Sequence, residues 1–550
     1  MKISLAQLNY KIGDFELNVS KITSAINEAK AQKSDLIVFS ELAVCGYIPH
    51  DLLEQKDFIS RAENSLKQIA QHAKGIAVLI GTPRINNSET GKKLYNAAVF
   101  IENGEIKQEF RKTLLPTYDI FDDYRYFEPN REFDLLEFKG KKIAVTICED
   151  LWDKQEAMYS FAKERQYGIS PLSELSKKNP DFVINIAGSP FSYNQENLRR
   201  NILINNARDY NLPLVYVNQI GGNTELIYDG GSRVLNSKGE IIKQLPHFEE
   251  AVDSIDIEDF NKRNTTVLSE TSRIEKMYDA LVLGVRDYFS KSGFRSAVLG
   301  LSGGIDSALT AAIVADAIGG ENTYGILMPS QYSSSHSVED AEKLAHNLNM
   351  PNHTVPIKSG FETIKSSLAD MFAAKTEDVT EENIQARLRG LILMAASNKF
   401  GHMLVNTSNK SEAAVGYTTL YGDMNGGLSV LGDVYKSDVF EMAKFVNRNK
   451  ILIPENSINK PPSAELRPGQ KDEDSLPPYD ILDGILFAYI EKKKSASEII
   501  DAGFSADTVK KVLSMVNMNE YKRFQAPPVL RVSSKAFGFG RRMPLVACYW

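Results

Sequence analysis

The sequence predicts an α/β protein in two domains, and three observations lead to that prediction. The chain has 550 residues, which is more than a single hydrophobic core ordinarily serves. Short runs rich in β-branched residues alternate with helical stretches in both halves, as in proteins that layer helices on sheets. In the second half, the glycine turn "GLSGGIDS" (300–307) lies between an apolar strand and a helical run. Such turns stand where open parallel sheets bind their ligands.

The first domain, residues 1–262, is predicted to contain eight strands. Hairpin turns are expected at Asn103-Gly104 and Lys238-Gly239, because Asn and Gly suit the positive φ of tight turns. The β character ends in the polar stretch 254–266, which places the domain boundary after residue 262. The predicted strands are "KISLAQLN", "LIVFSE", "GIAVLIGTP", "NAAVFIENGEI", "KKIAVTICED", "FVINIAGS", "LPLVYVNQ" and "GGSRVLNSKGEII".

The second domain, residues 263–550, is predicted to be a doubly wound parallel sheet. Its strands are "SAVLGLSGG", "TYGILMPSQ", "HTVPIK" and "HMLVNTSNK", and helical stretches separate them, as in other doubly wound folds. A loop rich in proline and charge, Asn459–Asp480, follows them. Its composition fits a surface linker and a mobile lid equally well.

Composition excludes several classes of protein. The net charge is −7 and no basic stripe occurs, so we expect no nucleic-acid partner. No apolar run approaches the ~18 residues of a membrane span, and the N-terminus does not resemble a signal peptide. The cysteines, Cys45, Cys148 and Cys548, provide neither a disulfide framework nor a zinc cluster. We therefore expect a cytoplasmic protein that does not associate with membranes.

The glycine turn has the chemistry of a phosphate-binding loop. Two glycines allow the backbone to approach a ligand closely, and successive N–H groups at a helix start bind anions. A Walker A loop would end in Lys-Ser or Lys-Thr, whereas this loop ends in Asp306-Ser307. A carboxylate reaches phosphate through Mg²⁺, whose usual ligands are carboxylate and phosphate oxygens. The alternative is a plain strand–turn–helix without a ligand.

The loop resembles the PP-loop of the ATP pyrophosphatase family, whose members release pyrophosphate from ATP. The segments "LMPSQYSSSHSVEDA", "NIQARLRG", "NTSNKSE" and "NEYKRFQAPPVLRVSSKAFGFGRRMP" further resemble the NAD synthetase family over about residues 270–545. The resemblance implies a deamido-NAD site at Asn383, Arg387, Glu412 and Lys522, and Mg²⁺ bound by Asp306 and Glu412. Arg387 and Arg389 lie on one helical stretch and could pair with the phosphates of a dinucleotide. The implied ATP-binding residues are Gly300, Leu301, Ser302, Gly303, Gly304, Ile305, Asp306, Ser307, Met328, Ser330, Thr407 and Lys436.

The first domain offers a candidate cysteine nucleophile. Cys148 follows the apolar strand of "AVTICEDLW", Glu41 ends the strand of "VFSELAVCGY", and Lys112 lies in "EFRKTLLPTYDIFDDYRYFEP". A cysteine nucleophile needs a base to remove its proton and a cation to stabilise the developing charge. Cys45, four residues from Glu41, is a rival nucleophile, and a buried structural thiol is the plain alternative for Cys148.

These three contexts resemble the nitrilase–amidase superfamily over about residues 1–260. The resemblance implies an αββα sandwich in which Glu41, Lys112 and Cys148 are the catalytic triad. In members fused to an NAD synthetase, the substrate is glutamine, and the resemblance places it at Tyr118 and Ser189. The resemblance implies one further glutamine-binding position, where we expect a basic residue, and this chain has Gln195 there.

The two resemblances together imply an enzyme that amidates deamido-NAD with nitrogen from glutamine at the expense of ATP. They imply a sheltered passage for ammonia and a homo-oligomer. Two alternatives are a nitrilase-like amidase with a regulatory nucleotide-binding domain and another PP-loop amidating ligase. The sister ligases fit less well, because no Gly-x-Cys-x-Gly context occurs and residue 2 is Lys2 rather than an N-terminal cysteine.

Overall fold

Residues 1–154, 166–262, 271–373 and 375–547 are described by the computed structural model, and the chain divides into two units, Met1–Glu270 and Thr271–Trp550. The boundary predicted after residue 262 adjoins residues 263–270, which lie outside the described ranges, as does Cys548. No helix within these ranges has the length and apolar character needed to cross a membrane.

The first unit is built on two six-stranded sheets. One has the order β14-β1-β2-β3-β4-β5, the other β13-β12-β9-β8-β7-β6, and β10 and β11 form a separate hairpin. The strands are β1 (Lys2–Gln7), β2 (Leu36–Val38), β3 (Ala77–Ile85), β4 (Leu94–Glu102), β5 (Glu105–Arg111), β6 (Leu136–Phe138), β7 (Lys141–Ile147), β8 (Phe182–Ala187), β9 (Leu214–Asn218), β10 (Ile220–Asn223), β11 (Leu226–Asp229), β12 (Arg233–Leu235), β13 (Ile241–Gln244) and β14 (Ala251–Asp256). The helices are α1 (Phe15–Ala31), α2 (Lys56–His72), α3 (Asp123–Tyr126), α4 (Pro171–Ser176) and α5 (Gln195–Tyr210), and 3₁₀ turns occupy His50–Glu54, Cys148–Leu151 and Ile257–Asn261.

Alternation along the strands places helices on the outside of both sheets. In β2, Leu36 and Val38 belong to the core between the sheets, whereas Ile37 packs with the helix residues Ile26 and Leu66. Residues one apart in a strand point to opposite faces, so a strand buried on both faces is apolar throughout. Helix α5 packs on the second sheet through Ile202, Leu203 and Ala207. The layers run α, β, β, α, which confirms the expected sandwich.

The second unit contains a five-stranded sheet of order β17-β16-β15-β18-β19, in which all neighbouring strands are parallel. The strands are β15 (Ala297–Gly300), β16 (Thr323–Leu327), β17 (Asn352–Thr354), β18 (Met403–Asn406) and β19 (Leu428–Ser429). The helices are α6 (Arg273–Ser292), α7 (Ile305–Ile318), α8 (Ser335–Asn347), α9 (Lys358–Phe372), α10 (Val379–Phe400), α11 (Lys410–Val415), α12 (Lys436–Val446), α13 (Glu455–Asn459), α14 (Tyr479–Leu486), α15 (Ala496–Asp501), α16 (Ala506–Met518) and α17 (Glu520–Arg523), with short 3₁₀ turns at Gly320–Asn322 and Asp472–Asp474 and a π turn at Phe487–Glu491.

This order confirms the doubly wound prediction and locates the switch point. The chain adds β16 and β17 on one side of β15, then β18 and β19 on the other. Ligands of such sheets bind beyond the carboxyl ends of the strands where the order reverses. The loops that follow β15 and β18 therefore frame the expected site.

The hairpin at Asn103-Gly104 forms as predicted, with φ of 52° and 84°, and joins β4 to β5. The hairpin at Lys238-Gly239 also forms, between the antiparallel strands β12 and β13, but its connection is longer, since β12 ends at Leu235 and β13 begins at Ile241. The edge strand β14 was not predicted, because its sequence, AVDSID, carries two acids and only partial burial.

Candidate active sites

The candidate nucleophile Cys148 lies at a sharp turn after β7. It begins the 3₁₀ turn Cys148–Leu151, is buried, and has a φ of 44°. A non-glycine residue rarely adopts positive φ, and such strain is concentrated at functional sites. Asp150 closes the turn by accepting a hydrogen bond from the backbone N–H of Ile147 at 3.0 Å. The turn presents the thiol at the carboxyl end of a sheet strand.

Glu41 and Lys112, the other predicted triad members, form a buried ion pair. Lys112 Nζ lies 2.7 Å from Glu41 Oε1, and both side chains are at most 1% exposed. Lys112 Nζ also lies 2.7 Å from Asp123 Oδ2. The backbone N–H of Gly188 and the amide of Asn96 donate to Glu41 at 2.9 and 2.7 Å. These bonds hold Glu41 in one orientation.

The electrostatics of the three predicted residues are coupled. Burial, and then the charge of Glu41, raise the pKa of the Cys148 thiol well above its usual range, while Lys112 opposes them. Burial would lower the pKa of Lys112, but Asp123 and Glu41 raise it well above its usual range. The resting site therefore holds a neutral thiol beside a charged lysine, so the thiol needs a base to become a nucleophile.

Two functional candidates escaped the sequence analysis. Asp123 shares Lys112 with Glu41, and burial raises its pKa although Lys112 opposes the shift. Glu149, next to the nucleophile, accepts hydrogen bonds on Oε1 from the hydroxyls of Tyr118 and Tyr167 at 2.7 and 2.8 Å. Burial raises its pKa to about 7. In the sequence they are only the second aspartate of "FDDY" and the acid beside Cys148. Neither position indicates a function before the fold is known.

The predicted glutamine residues fall in different surroundings. Tyr118 contacts Glu149, as described, and Ser189 is buried, with its backbone N–H donating to Asn218 Oδ1 at 2.9 Å. Gln195 is half-buried at the first position of α5. One turn further along α5 a basic side chain does occur, since Arg199 Nη1 lies 3.4 Å from the Ser189 hydroxyl. Arg199 is buried and paired with Asp229 at 2.5 Å.

Cys45 does not lie at a reactive position. It is fully buried, and its thiol donates to the carbonyl oxygens of Leu42 and Gly46 at 3.6 and 3.5 Å. Burial raises its pKa far above the usual value. An inert structural thiol has these properties.

The glycine loop of the second unit is preformed. Gly303 has a φ of 76°, and a Cβ there would lie 2.1 Å from the carbonyl oxygen of Ser337. Ser302 Oγ accepts from the Gly304 N–H at 3.2 Å and lies 3.0 Å from Ser307 Oγ. Helix α7 begins directly after Gly304, so its first N–H groups point out of the loop toward a ligand.

A cavity of about 300 Å³ lies between this loop and the end of β18. All the predicted ATP-binding residues line it except Gly303 and Ser330. Ser330 Oγ instead accepts from the N–H of Tyr332 at 3.2 Å. Arg389 also lines the cavity and donates to the Met328 carbonyl at 3.2 Å; burial lowers its pKa to about 10. Arg389 thus lies at the predicted ATP site, whereas Arg387 does not line this cavity.

The two predicted metal ligands converge on one point. Lys436 Nζ lies 2.5 Å from Asp306 Oδ2 and 3.3 Å from Glu412 Oε1, and Asn409 Nδ2 donates to Asp306 Oδ1 at 2.8 Å. Burial would lower the pKa of Lys436, but the two carboxylates raise it. No cluster of three or more His, Cys, Asp or Glu suited to an ion occurs in the described ranges. Two carboxylates beside a phosphate loop still fit Mg²⁺, which commonly takes its other oxygens from phosphate and water.

The other predicted deamido-NAD residues meet around one segment, 416–420. Lys522 Nζ donates to the Gly416 carbonyl at 2.8 Å, Arg387 Nε donates to Leu420 at 3.1 Å, and Asn383 Oδ1 accepts from Thr419 at 2.8 Å. The segment follows α11, which carries Glu412. Glu412 lines the cavity, whereas these three do not.

Part of the loop 459–480 lines the cavity. Residues 460–466 line it, Lys460 Nζ donates to Ser337 Oγ at 3.0 Å, and that hydroxyl donates to Glu465 at 2.7 Å.

Comparison with known proteins identifies the family. Residues 2–261 match the carbon-nitrogen hydrolase family, and residues 277–526 match the NAD synthase family. A glutamine-dependent NAD(+) synthetase of Synechocystis sp. is 48% identical over 554 residues, covering 100% of this chain and 99% of the relative. The chain belongs to the glutamine-dependent NAD(+) synthetases. Members from Thermotoga maritima and Acinetobacter baylyi are 41% and 42% identical, each covering 99% of this chain and 98% of the relative.

Solved structures of this family share the fold. A glutamine-dependent NAD(+) synthetase of Acinetobacter baumannii, determined in complex with ADP, is 39% identical with a TM-score of 0.78, covering 99% of this chain and 98% of that chain. One from Cytophaga hutchinsonii, 22% identical, has a TM-score of 0.85, covering 100% and 98%. The chain is thus a ligase with a glutaminase unit and an NAD synthase unit, as the sequence predicted.

Proposed function

We propose that this synthetase splits glutamine at Cys148 and delivers the ammonia to an adenylated deamido-NAD held beside the glycine loop. The observation that supports the proposal is the grouping of the predicted residues into one cluster in each unit. The buried Glu41–Lys112 pair acts on Cys148 in the first unit. In the second, Asp306, Lys436 and Glu412 meet in the lining of a cavity bounded by the phosphate-type loop.

In the glutaminase half, Glu41 takes the proton of the Cys148 thiol as sulfur attacks the amide carbon of glutamine. Lys112 stabilises the negative oxygen of the tetrahedral intermediate, since its charge is fixed and desolvated. The C–N bond breaks, Glu41 returns the proton to the leaving nitrogen, and ammonia and a thioester result. Glu41 then removes a proton from water, whose attack on the thioester releases glutamate and the thiol.

Glu149 is suited to hold the α-ammonium group of glutamine. Both phenols, Tyr118 and Tyr167, donate to Oε1, which leaves Oε2 for the substrate. A buried carboxylate gains most from a cationic partner. Ser189, close to the site, would contact the same substrate.

In the synthetase half, the nicotinate carboxylate of deamido-NAD attacks the α-phosphorus of ATP and pyrophosphate leaves. The loop N–H groups at the start of α7 and Lys436 hold the leaving pyrophosphate, since the loop and Lys436 both line the cavity. Ammonia then attacks the acyl-adenylate carbon, AMP leaves, and the amide of NAD is formed. The ADP bound by the Acinetobacter baumannii relative supports an adenine nucleotide as ligand.

Asp306 and Glu412 would hold Mg²⁺, which neutralises charge on the phosphates when bound. Because Lys436 bridges these two carboxylates, its ammonium would have to move toward the phosphates when the ion enters. Residues 460–466, which line the cavity, would then act as a cover over the nucleotide.

We further propose a sheltered route for ammonia, cytoplasmic location and a homo-oligomer. Free ammonia is mostly protonated to ammonium at neutral pH, so a protected transfer keeps a larger share of the nitrogen nucleophilic. Helix α10 supports the oligomer, because Leu391 and Met394, three residues apart and so on one side of the helix, are 65% and 36% exposed on a helix that buries little of itself. An exposed apolar face marks an association surface.

The test supplies deamido-NAD, ATP and Mg²⁺ with either glutamine or ammonium, and measures NAD, AMP and glutamate. We expect NAD and AMP in equal amounts with both nitrogen sources, and glutamate only with glutamine. Glutamine hydrolysis without any NAD formation would instead support the amidase alternative.

A further inference from the structure

The carboxylate of Asp150 joins the two segments that carry the nucleophile and the lysine. Its Oδ1 accepts from the backbone N–H groups of Thr113 and Leu114 at 2.9 and 2.8 Å. Its Oδ2 accepts from the backbone N–H of Ile147 at 3.0 Å. Thr113 directly follows Lys112, and Ile147 directly precedes Cys148. One buried side chain therefore fixes both neighbours of the reacting groups.

The turn that Asp150 closes is the one that holds Cys148 at positive φ. A backbone in that region persists only when its surroundings over-determine it. The three N–H groups that donate to the buried Asp150 carboxylate can hold the backbone in this conformation, because charge-assisted hydrogen bonds are stronger than neutral ones. The same carboxylate holds the start of the segment after Lys112, so nucleophile and cation are placed by a common anchor.

We propose that Asp150 is a positioning residue of the glutaminase site, which sets the distance between the Cys148 thiol and the Lys112 ammonium. The proposal rests on the proposed glutaminase function. Asp150 does not touch glutamine in this account. It acts through the two backbone segments, and a misplacement of about 1 Å is enough to lower a rate about 100-fold.

Two variants and a control test this role. Asp150→Asn keeps the volume but turns an N–H₂ group toward at least one of the three backbone donors. Asp150→Glu keeps the charge, and the cavity of about 100 Å³ that Asp150 lines has room for one methylene. The control is Asp153→Asn, the same change three residues on, at a buried aspartate whose Oδ1 has no hydrogen-bond partner in the described ranges.

Three quantities are measured on each full-length variant. The first is kcat and KM for glutamine, per Cys148 titrated by a glutamine-analogue label. The second is NAD formation from ammonium. The third is the rate of Cys148 alkylation by iodoacetamide, followed by mass spectrometry of its peptide, which needs no catalytic turnover.

We expect Asp150→Asn to lower the glutamine kcat about 100-fold, to change KM little and to leave ammonium-driven synthesis intact. Cys148 alkylation should slow about tenfold, because a displaced Lys112 no longer favours the thiolate. Asp150→Glu should recover part of both rates, and Asp153→Asn should match the unaltered protein. If Asp150→Asn does not fold, Asp150→Glu carries the same comparison.

Faster alkylation in Asp150→Asn would overturn the proposal, because a merely loosened structure exposes the thiol. An unchanged kcat per titrated site would overturn it as well. If the unaltered protein hydrolyses no glutamine, the proposed function fails, yet the alkylation rates still decide whether Asp150 couples Lys112 to Cys148.

Discussion

Replacing Lys112 by methionine tests the buried ion pair at the centre of the glutaminase site. The ammonium lies 2.7 Å from carboxylates of both Glu41 and Asp123, and all three side chains are at most 3% exposed. Methionine keeps most of the stem but removes the charge. Two buried carboxylates then share the site without a cation, because the Asn96 amide that donates to Glu41 carries no charge.

The magnitude has two parts. Breaking a buried pair by deleting one partner costs about 3–5 kcal/mol of folding free energy. Removing a donor that stabilises an oxyanion lowers kcat about 10²–10³-fold, or about 2.7–4 kcal/mol of transition-state stabilisation. We therefore expect unit 1 to be destabilised by about 3–5 kcal/mol and glutamine-driven kcat to fall at least ~100-fold, with ammonium-driven synthesis preserved.

The assay follows urea unfolding by tryptophan fluorescence. The chain has two tryptophans, so a Trp550→Phe background leaves Trp152, in the first unit, as the reporter. The matched control is the double variant Lys112→Met/Asp123→Asn. It removes one of the two orphaned carboxylates and should recover stability, while its glutamine-driven activity stays low.

The pH dependence has a defined sign. Burial already raises the pKa of Asp123 in the folded state, and loss of Lys112 raises it further. A carboxyl whose folded pKa is raised loses stability as pH rises through that pKa, so the deficit of Lys112→Met should shrink on acidification. A variant with unchanged stability, or a glutamine kcat reduced less than tenfold, would refute the reasoning.

Four further outcomes follow. Because burial raises the pKa of Glu149 to about 7, kcat/KM for glutamine should fall as pH drops below about 7, and a Glu149→Gln variant should lack that acidic limb in a pH series. Asp306→Asn should lose NAD formation from glutamine and ammonium alike in the coupled assay. Loss with only one nitrogen source would show that Asp306 does not belong to the ATP site. Cys45→Ala should keep glutaminase activity within about twofold, since its thiol is inert; a large loss would reopen its candidacy as nucleophile. Leu391→Asp should shift the protein to a smaller species in light scattering if α10 is the association face, and an unchanged mass would exclude that face.

The sequence predicted the features that depend on residues close together in the chain. The glycine turn between β15 and α7, and the strand before Cys148, follow from short-range signals: an apolar run, a turn residue and a helical period. The hairpin at Asn103-Gly104 was predictable for the same reason. The family resemblances added the residue roles, and the fold then brought Glu41 and Lys112 together across 71 positions of the chain.

What escaped prediction depends on contacts between distant segments. Asp123 and Glu149 are ordinary acids in the sequence, and only the fold shows that one shares Lys112 and the other collects two phenols. Likewise, nothing in "GDVYKSD" indicates that Lys436 bridges Asp306 and Glu412. The convergence of Asn383, Arg387 and Lys522 on segment 416–420 is also a tertiary arrangement, since they lie on two helices far apart in sequence.

The central claim is that nitrogen enters through Cys148 and leaves in the amide of NAD. The most direct test supplies Cys148→Ala and the unaltered protein with glutamine labelled at the amide nitrogen, together with unlabelled ammonium, and measures the label in NAD by mass spectrometry. We predict labelled NAD from the unaltered protein, and unlabelled NAD, formed at an undiminished ammonium-driven rate, from Cys148→Ala. Labelled NAD from Cys148→Ala would contradict the account.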